Sequence, residues 1–125
     1  MSEFQVKAVT GDGFSAYAMN KGRTITAFLK GNADMRARPH LEQFLSSLHG
    51  AASGLKVSEV YVDFRDLEFM TSSCFKDFVS WLSVLEAAPT DQQYRISFVA
   101  DPKSHWQKRS LHALRCFASK LITVQ

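Results

Sequence analysis

Little in this sequence points to covalent or metal chemistry. Only two of its 125 residues are cysteine, Cys74 and Cys116. That is too few for a disulfide framework and suits a reducing compartment. The four histidines, His40, His49, His105 and His112, are scattered. No Cys/His cluster has the spacing of zinc ligands, so no metal and no cofactor is expected. No apolar run approaches the roughly 20 residues of a membrane span. The opening Met-Ser-Glu-Phe-Gln lacks the charged-then-apolar layout of a secretion signal. No repeat, low-complexity tract or linker divides the chain, and its length suits one domain over residues 1–125. Together these absences argue against a membrane protein or a secreted disulfide scaffold and for a cytoplasmic one.

What is present is material for a core. Apolar residues make up 46% of the chain, with ten Phe and two Trp, so rings fill much of the interior. The net charge of +3 is unevenly spread: residues 1–62 carry seven Lys/Arg and five Asp/Glu, residues 63–91 two and six, and residues 92–125 six and one. An acidic middle beside a basic tail suggests surfaces with different partners. Lys103, Lys108, Arg109, Arg115 and Lys120 make the tail basic. No aromatic-basic recognition motif accompanies them, so a solvated helix face is the reading and nucleic acid is not expected as a partner.

Residues 4–9 alternate apolar and polar side chains and predict an edge strand. Thr10-Gly11-Asp12-Gly13 predicts a turn. Residues 14–19 and 23–29 are the next strands, separated by Asn20-Lys21-Gly22. Gly31-Asn32-Ala33-Asp34 then breaks the chain ahead of a helix, with Asp34 or a neighbour capping it and Pro39 in its first turns. Leu41, Phe44, Leu45 and Leu48 share one face of that helix, which Gly50 and Gly54 end. A strand follows at 57–64, with Val60, Val62 and Phe64 on one face, and then a loop at 65–70. The second helix runs over about 73–87 with an apolar stripe of Phe75, Phe78, Val79, Leu82 and Leu85, and with Trp81 at its flank. Residues 94–99 form a strand in which Tyr94, Ile96 and Phe98 share a face. Asp101-Pro102 opens a third helix carrying Trp106, Leu111, Leu114 and Phe117, and 121–124 is a last short strand. Strand–helix alternation of this kind predicts a mixed sheet with right-handed crossovers.

The stretch richest in chemistry is Arg65-Asp66-Leu67-Glu68-Phe69-Met70-Thr71-Ser72-Ser73, a chain segment that runs into three hydroxyls at a helix start. Free N–H groups and the helix dipole favour an anion there. A phosphate on one hydroxyl would add about two negative charges to a zone already acidic. Plain capping explains one hydroxyl, and no Glu or Gln stands three residues on to make a capping box.

Phe69-Met70-Thr71-Ser72-Ser73-Cys74-Phe75 resembles the signature of STAS domains, the family of bacterial anti-sigma-factor antagonists, in which Asp-Ser-Ser-Gly-Leu opens a helix. Gly31-Asn32-Ala33-Asp34 is similar to that family's Gly-Glu-Leu-Asp, and Val60-Tyr61-Val62-Asp63-Phe64 to its Val-Val-Leu-Asp-Leu strand. The resemblance implies an α/β fold: a single STAS-like domain with a mixed sheet of four or five strands and helices packed mainly on one face. It also implies a phosphorylation site at Ser72, with Thr71 and Ser73 as alternatives. Thr71 stands where the family has Asp, and Cys74 where it has Gly. The first change removes a charge, and the second adds a side chain where a partner approaches.

The function so implied is that of a regulatory protein-binding module and not an enzyme. Its partners would be a kinase of the anti-sigma type and a cognate phosphatase, with a homodimer also admitted. The surface for them would be Asp34, Arg65, Met70, Thr71, Ser72, Ser73, Cys74 and Lys76. A STAS-like scaffold that binds a partner or ligand constitutively is the alternative. A small hydrolase using Ser72 or Cys74 is a third, with no oxyanion-loop motif to accompany it.

Overall fold

Two tight turns start the fold. The computed structural model describes residues 6–125, and the first strand, β1, is Val9–Gly11. It turns back through Asp12-Gly13, both at positive φ (56° and 79°), into β2, Phe14–Lys21. Two successive positive φ angles make the primed turn whose twist matches antiparallel strands. Gly22-Arg23 then turns β2 into β3, Thr24–Ala33. The edge strand expected at 4–9 lies partly outside the described residues. Within them, residues 6–8 are not in a strand, and Thr10-Gly11 belongs to β1 rather than to the turn.

Beyond β3 the chain alternates helix and strand: α1 Arg38–Gly54, β4 Glu59–Met70, α2 Ser72–Ala87, β5 Arg95–Val99, α3 His105–Arg115 and β6 Ile122–Val124. The sheet has six strands in the order β1-β2-β3-β4-β5-β6, more than the four or five expected. β1 to β3 pair antiparallel, and β3 to β6 pair parallel. Every parallel strand lies beside its predecessor, so each right-handed crossover brings its helix to the same face.

That face holds the core. Ile25, Ala27 and Leu29 of β3, Val60, Val62, Phe64 and Leu67 of β4, and Ile96 and Phe98 of β5 are buried against the helices. The helices contribute Leu41, Phe44 and Leu48, then Phe78, Leu82 and Leu85, then Leu111 and Leu114. Phe64, Phe78 and Phe98 form a ring cluster with centroids 5.4 to 6.4 Å apart, the tilted and edge-on geometry aromatic pairs prefer.

Several expectations need correction. Gly31-Asn32-Ala33 does not break β3, and 65–70 is not a loop: the two segments pair with each other to the ends of β3 and β4 (Lys30 with Asp66, Gly31 with Leu67, Ala33 with Met70). Register shifts between Phe28 and Lys30 and between Gly31 and Asn32 disrupt the alternation there. Gly31 has φ 93°, and a Cβ on it would collide with the Gly13 carbonyl oxygen, so the bulge needs glycine. Gly50 lies inside α1, and only Gly54 ends it. Phe75 is partly buried at the rim of the core, while Cys74 is fully buried. The α2 stripe is Cys74, Asp77, Phe78, Trp81, Leu82 and Leu85. α3 opens at His105 rather than at Asp101-Pro102, buries Gln107 where Trp106 was expected, and leaves Phe117 exposed beyond its end.

Two buried polar groups hold the helices in place. Gln107 of α3 is 1% exposed. Its amide donates to the carbonyls of Phe64 (2.6 Å) and Leu67 (2.8 Å), and its Oε1 accepts from the Asp101 N–H (2.8 Å). It serves the part of β4 that runs on past β5, whose pairing stops at Asp63. Between α1 and α2, Arg38 donates to both carboxylate oxygens of buried Asp77 at 3.1 to 3.3 Å and lies 3.3 Å from Glu42.

Candidate functional site

The parallel strands β3 and β4 end side by side, and the site is built on their ends. The Thr71 N–H donates to the Ala33 carbonyl at 2.9 Å, fixing the start of α2 against the end of β3. Thr71 is the N-cap: its backbone is extended, and its Oγ1 accepts from the Cys74 N–H at 3.2 Å. Such a cap contributes about 1 kcal/mol. The Cys74 thiol, buried beneath the turn, donates to the Asp34 carbonyl at 3.5 Å. Asp34 Oδ1 accepts from the N–H groups of Arg36 (2.9 Å) and Ala37 (3.2 Å). It therefore organises the turn before α1, while Ala37 is that helix's N-cap without a side-chain bond.

These contacts bring Asp34, Met70, Thr71, Ser72, Ser73 and Cys74 together. Ser72 is exposed in the first turn of α2, and Ser73 is half-buried. Neither hydroxyl makes a hydrogen bond to the described residues. Lys76, one turn after Ser72 on the same side of α2, is exposed. Met70 packs partly against the core at the end of β4.

Arg65 does not join the group. It sits six residues before Thr71 on an extended strand, and it grips Asp63 with two guanidinium nitrogens at 2.7 to 3.2 Å. Cys74 is fully buried, so its side chain lies under the site and not on its surface.

The electrostatics follow the geometry. The Arg36 side chain, with help from the backbone N–H groups, holds the Asp34 carboxyl below its ordinary value. Burial pushes the Asp63 carboxyl up, but the Arg65 hydrogen bonds outweigh it and the net direction is down. Burial raises the Cys74 thiol, which disfavours the thiolate a nucleophile would need. His40 pairs with Asp12 at 3.3 Å, and His49 with Tyr94 at 2.8 Å, so both are engaged away from Cys74.

The sequence reading missed a second feature beside the site. α1 and α2 leave between them a groove of about 480 Å³, lined by Arg38, Leu45, His49, Asp77, Trp81 and Val84 among others. Two of its lining residues, Trp81 and His49, are joined through the hydroxyl of buried Tyr94, each link 2.8 Å. One signal could have revealed it: a carboxylate at position 77, in step with Cys74, Phe78 and Trp81, demands a cationic partner on the facing helix.

No protein-family model matches the sequence, and no curated protein sequence matches it. Solved structures do resemble the fold. An anti-sigma factor antagonist from Mycobacterium paratuberculosis superposes with a TM-score of 0.61 at 18% identity, over 89% of this chain and 84% of that one. The anti-sigma factor antagonist SpoIIAA in its unphosphorylated form gives 0.54 at 18% identity, over 88% and 87%. The chain therefore has the fold of a STAS-like domain, a mixed sheet with its helices on one face. Among the described residues no helix is long and apolar enough to cross a membrane.

Proposed function

We propose that this chain is a cytoplasmic regulatory module that docks to a partner protein, and that phosphorylation of Ser72 switches the docking. One observation carries the reading: of three consecutive hydroxyls, only that of Ser72 is both exposed and uncommitted. Thr71 is occupied as the cap. Ser73 stands one turn above Asp77, so a phosphate there would compete with that carboxylate for Arg38 and strain the α1–α2 clamp. A phosphate on Ser72 would meet the helix N-terminus and Lys76 instead.

The two departures from the family signature leave this reading intact. Threonine supplies the cap at position 71. The Cys74 side chain points into the core, so it does not obstruct an approaching partner. The docking surface we propose is Asp34, Met70, Thr71, Ser72, Ser73 and Lys76, without Arg65 or Cys74. The partner is a kinase of the anti-sigma type, with a phosphatase to reset the switch. The resemblance of fold to anti-sigma factor antagonists supports a module of this class. The α1–α2 groove favours a second reading, a STAS-like scaffold that binds a ligand without phosphorylation.

The test is phosphopeptide mapping after co-expression with a candidate kinase of the anti-sigma type, followed by titration of variants. About two phosphate charges desolvated at an interface cost several kcal/mol, so phosphorylation should weaken binding by two to three decades, roughly 1.4 kcal/mol each, and Ser72→Asp, with one charge, should weaken it in the same direction. Ser72→Ala should bind and resist modification. Modification of none of the three hydroxyls, with Ser72→Asp binding like the unaltered protein, would favour the constitutive scaffold.

A further inference from the structure

The sheet face opposite the helices carries rings with no cover among the described residues. Strand register gathers Tyr17 and Met19 of β2, Phe28 of β3 and Tyr61 of β4 on this side, with Phe69 of β4 farther along, beyond the Lys30–Asp66 row. Tyr17, Met19 and Phe69 are 49%, 61% and 48% exposed. Tyr17 stacks on Phe28, with centroids 4.9 Å apart and planes 20° from parallel. Single exposed apolar residues are ordinary, but a contiguous patch on one face marks an interaction site. Strand direction sharpens the point. Parallel strands are almost always covered on both faces, and β3 to β6 are parallel with helices, among the described residues, on one face alone.

Charge selects the occupant. Lys30 lies in register with Asp66, and Arg95 with Glu59, so cations and anions stand side by side along the patch, with Lys21 opposite Thr24 at its edge. Asp63 on the same face is already neutralised by Arg65. A face so balanced does not select a polyanion or a strongly charged partner, whereas an identical face can match cation to anion in both directions about a two-fold axis. Area agrees. Four strands about 4.8 Å apart and about eight residues long present on the order of 500 Å². Two such faces bury roughly 1,000 Å², the lower bound for a specific interface.

We propose that this face is the interface between two copies of this chain, packed sheet to sheet around the Tyr17–Phe28 pair. The proposal is independent of Ser72, which opens a helix on the covered face.

Sedimentation equilibrium of the full chain, from about 1 μM to about 1 mM, tests it. The mass should rise from 14.1 kDa towards twice that value, with a dissociation constant on the order of 10–100 μM for so small an interface. Tyr17→Glu combined with Met19→Glu should raise that constant at least about tenfold, since it buries like charges at the two-fold contact. Val84→Glu, an exposed change on α2, should leave it unaltered. Should the double variant fail to fold, concentration-dependent NMR shifts of the unaltered chain replace it and must map to Tyr17, Phe28 and Tyr61. A chain that stays at 14.1 kDa throughout would overturn the proposal and leave the face to a different partner. So would a dimer indifferent to Tyr17→Glu and Met19→Glu, or shifts that map to the helical side.

Discussion

The hydroxyl of Tyr94 lies 2.8 Å from Nδ1 of His49 and 2.8 Å from the indole nitrogen of Trp81. The indole can only donate, so the hydroxyl accepts from it. Tyr94 is buried, and its own proton has an acceptor where Nδ1 of neutral His49 is bare. Burial lowers the imidazole's pKa from its ordinary 6.5, in the same direction.

A pH dependence follows. The unfolded chain takes up this proton near pH 6.5, and the folded chain only at lower pH. The stability is therefore fully present above about 6.5 and is lost as pH falls through the folded value. Thermal melts should show the protein less stable at about pH 5.5 than at about pH 7.5. His49→Gln retains an acceptor without a titration and should flatten that slope, while His49→Ala should destabilise at both pH values. An unchanged slope in His49→Gln would assign the pH dependence to other groups.

Gln107 should be as sensitive as a large core residue. Gln107→Leu removes three hydrogen bonds and leaves two buried carbonyls and an N–H unmet, at about 1–3 kcal/mol for each group left unpaired. We expect a loss of about 3 kcal/mol or more in denaturant melts. Gln107→Glu turns an oxygen towards the same carbonyls, which disfavours the charged form and raises the folded-state pKa. Its deficit should shrink as pH falls and the carboxyl protonates.

Phe78 is fully buried between Phe64 and Phe98. Phe78→Ala should cost about 3–5 kcal/mol, as deletion of a buried ring does. A loss under about 1 kcal/mol would show that the cluster relaxes into the space.

At Gly31 the backbone stands at φ 93° and the Gly13 carbonyl occupies the place of a Cβ. Gly31→Ala should cost at least about 2 kcal/mol, and because the collision is with backbone, second-site side-chain changes should not restore it. Equal stability of Gly31→Ala and the unaltered chain in urea would show that the first hairpin can move aside.

The parts of the fold legible in the sequence were those with undisturbed periods. Val60, Val62 and Phe64 keep strict alternation, and all three are buried. The alternation fails beyond Phe64, because the register shifts there place Leu67 and not Asp66 on the core face. A run such as Arg65-Asp66-Leu67-Glu68 then reads as a charged loop, and Arg65 as part of the site. In α2 the sequence pattern places Phe78, Leu82 and Leu85 correctly, but it extends the stripe to Phe75 and Val79, which are partly buried, instead of to Cys74, Asp77 and Trp81. Asp77 hides the true stripe, since its apolar character is completed only by Arg38 from another helix. The hydroxyl run at 71–73 was visible in the sequence, but its division of labour was not, because that depends on which backbone N–H the Thr71 side chain meets.

The order in which the strands lie has a consequence for assembly. Each strand pairs with the one made just before it, so the growing sheet always offers the edge the next segment needs, and short loop closures favour fast folding. A chain leaving the ribosome can add strands in sequence without holding a place open for a later one. The exception is the end of β4, whose carbonyls at Phe64 and Leu67 wait for Gln107, some 40 residues downstream. Until α3 arrives, that stretch is an unguarded strand edge, the kind of surface on which nascent chains aggregate.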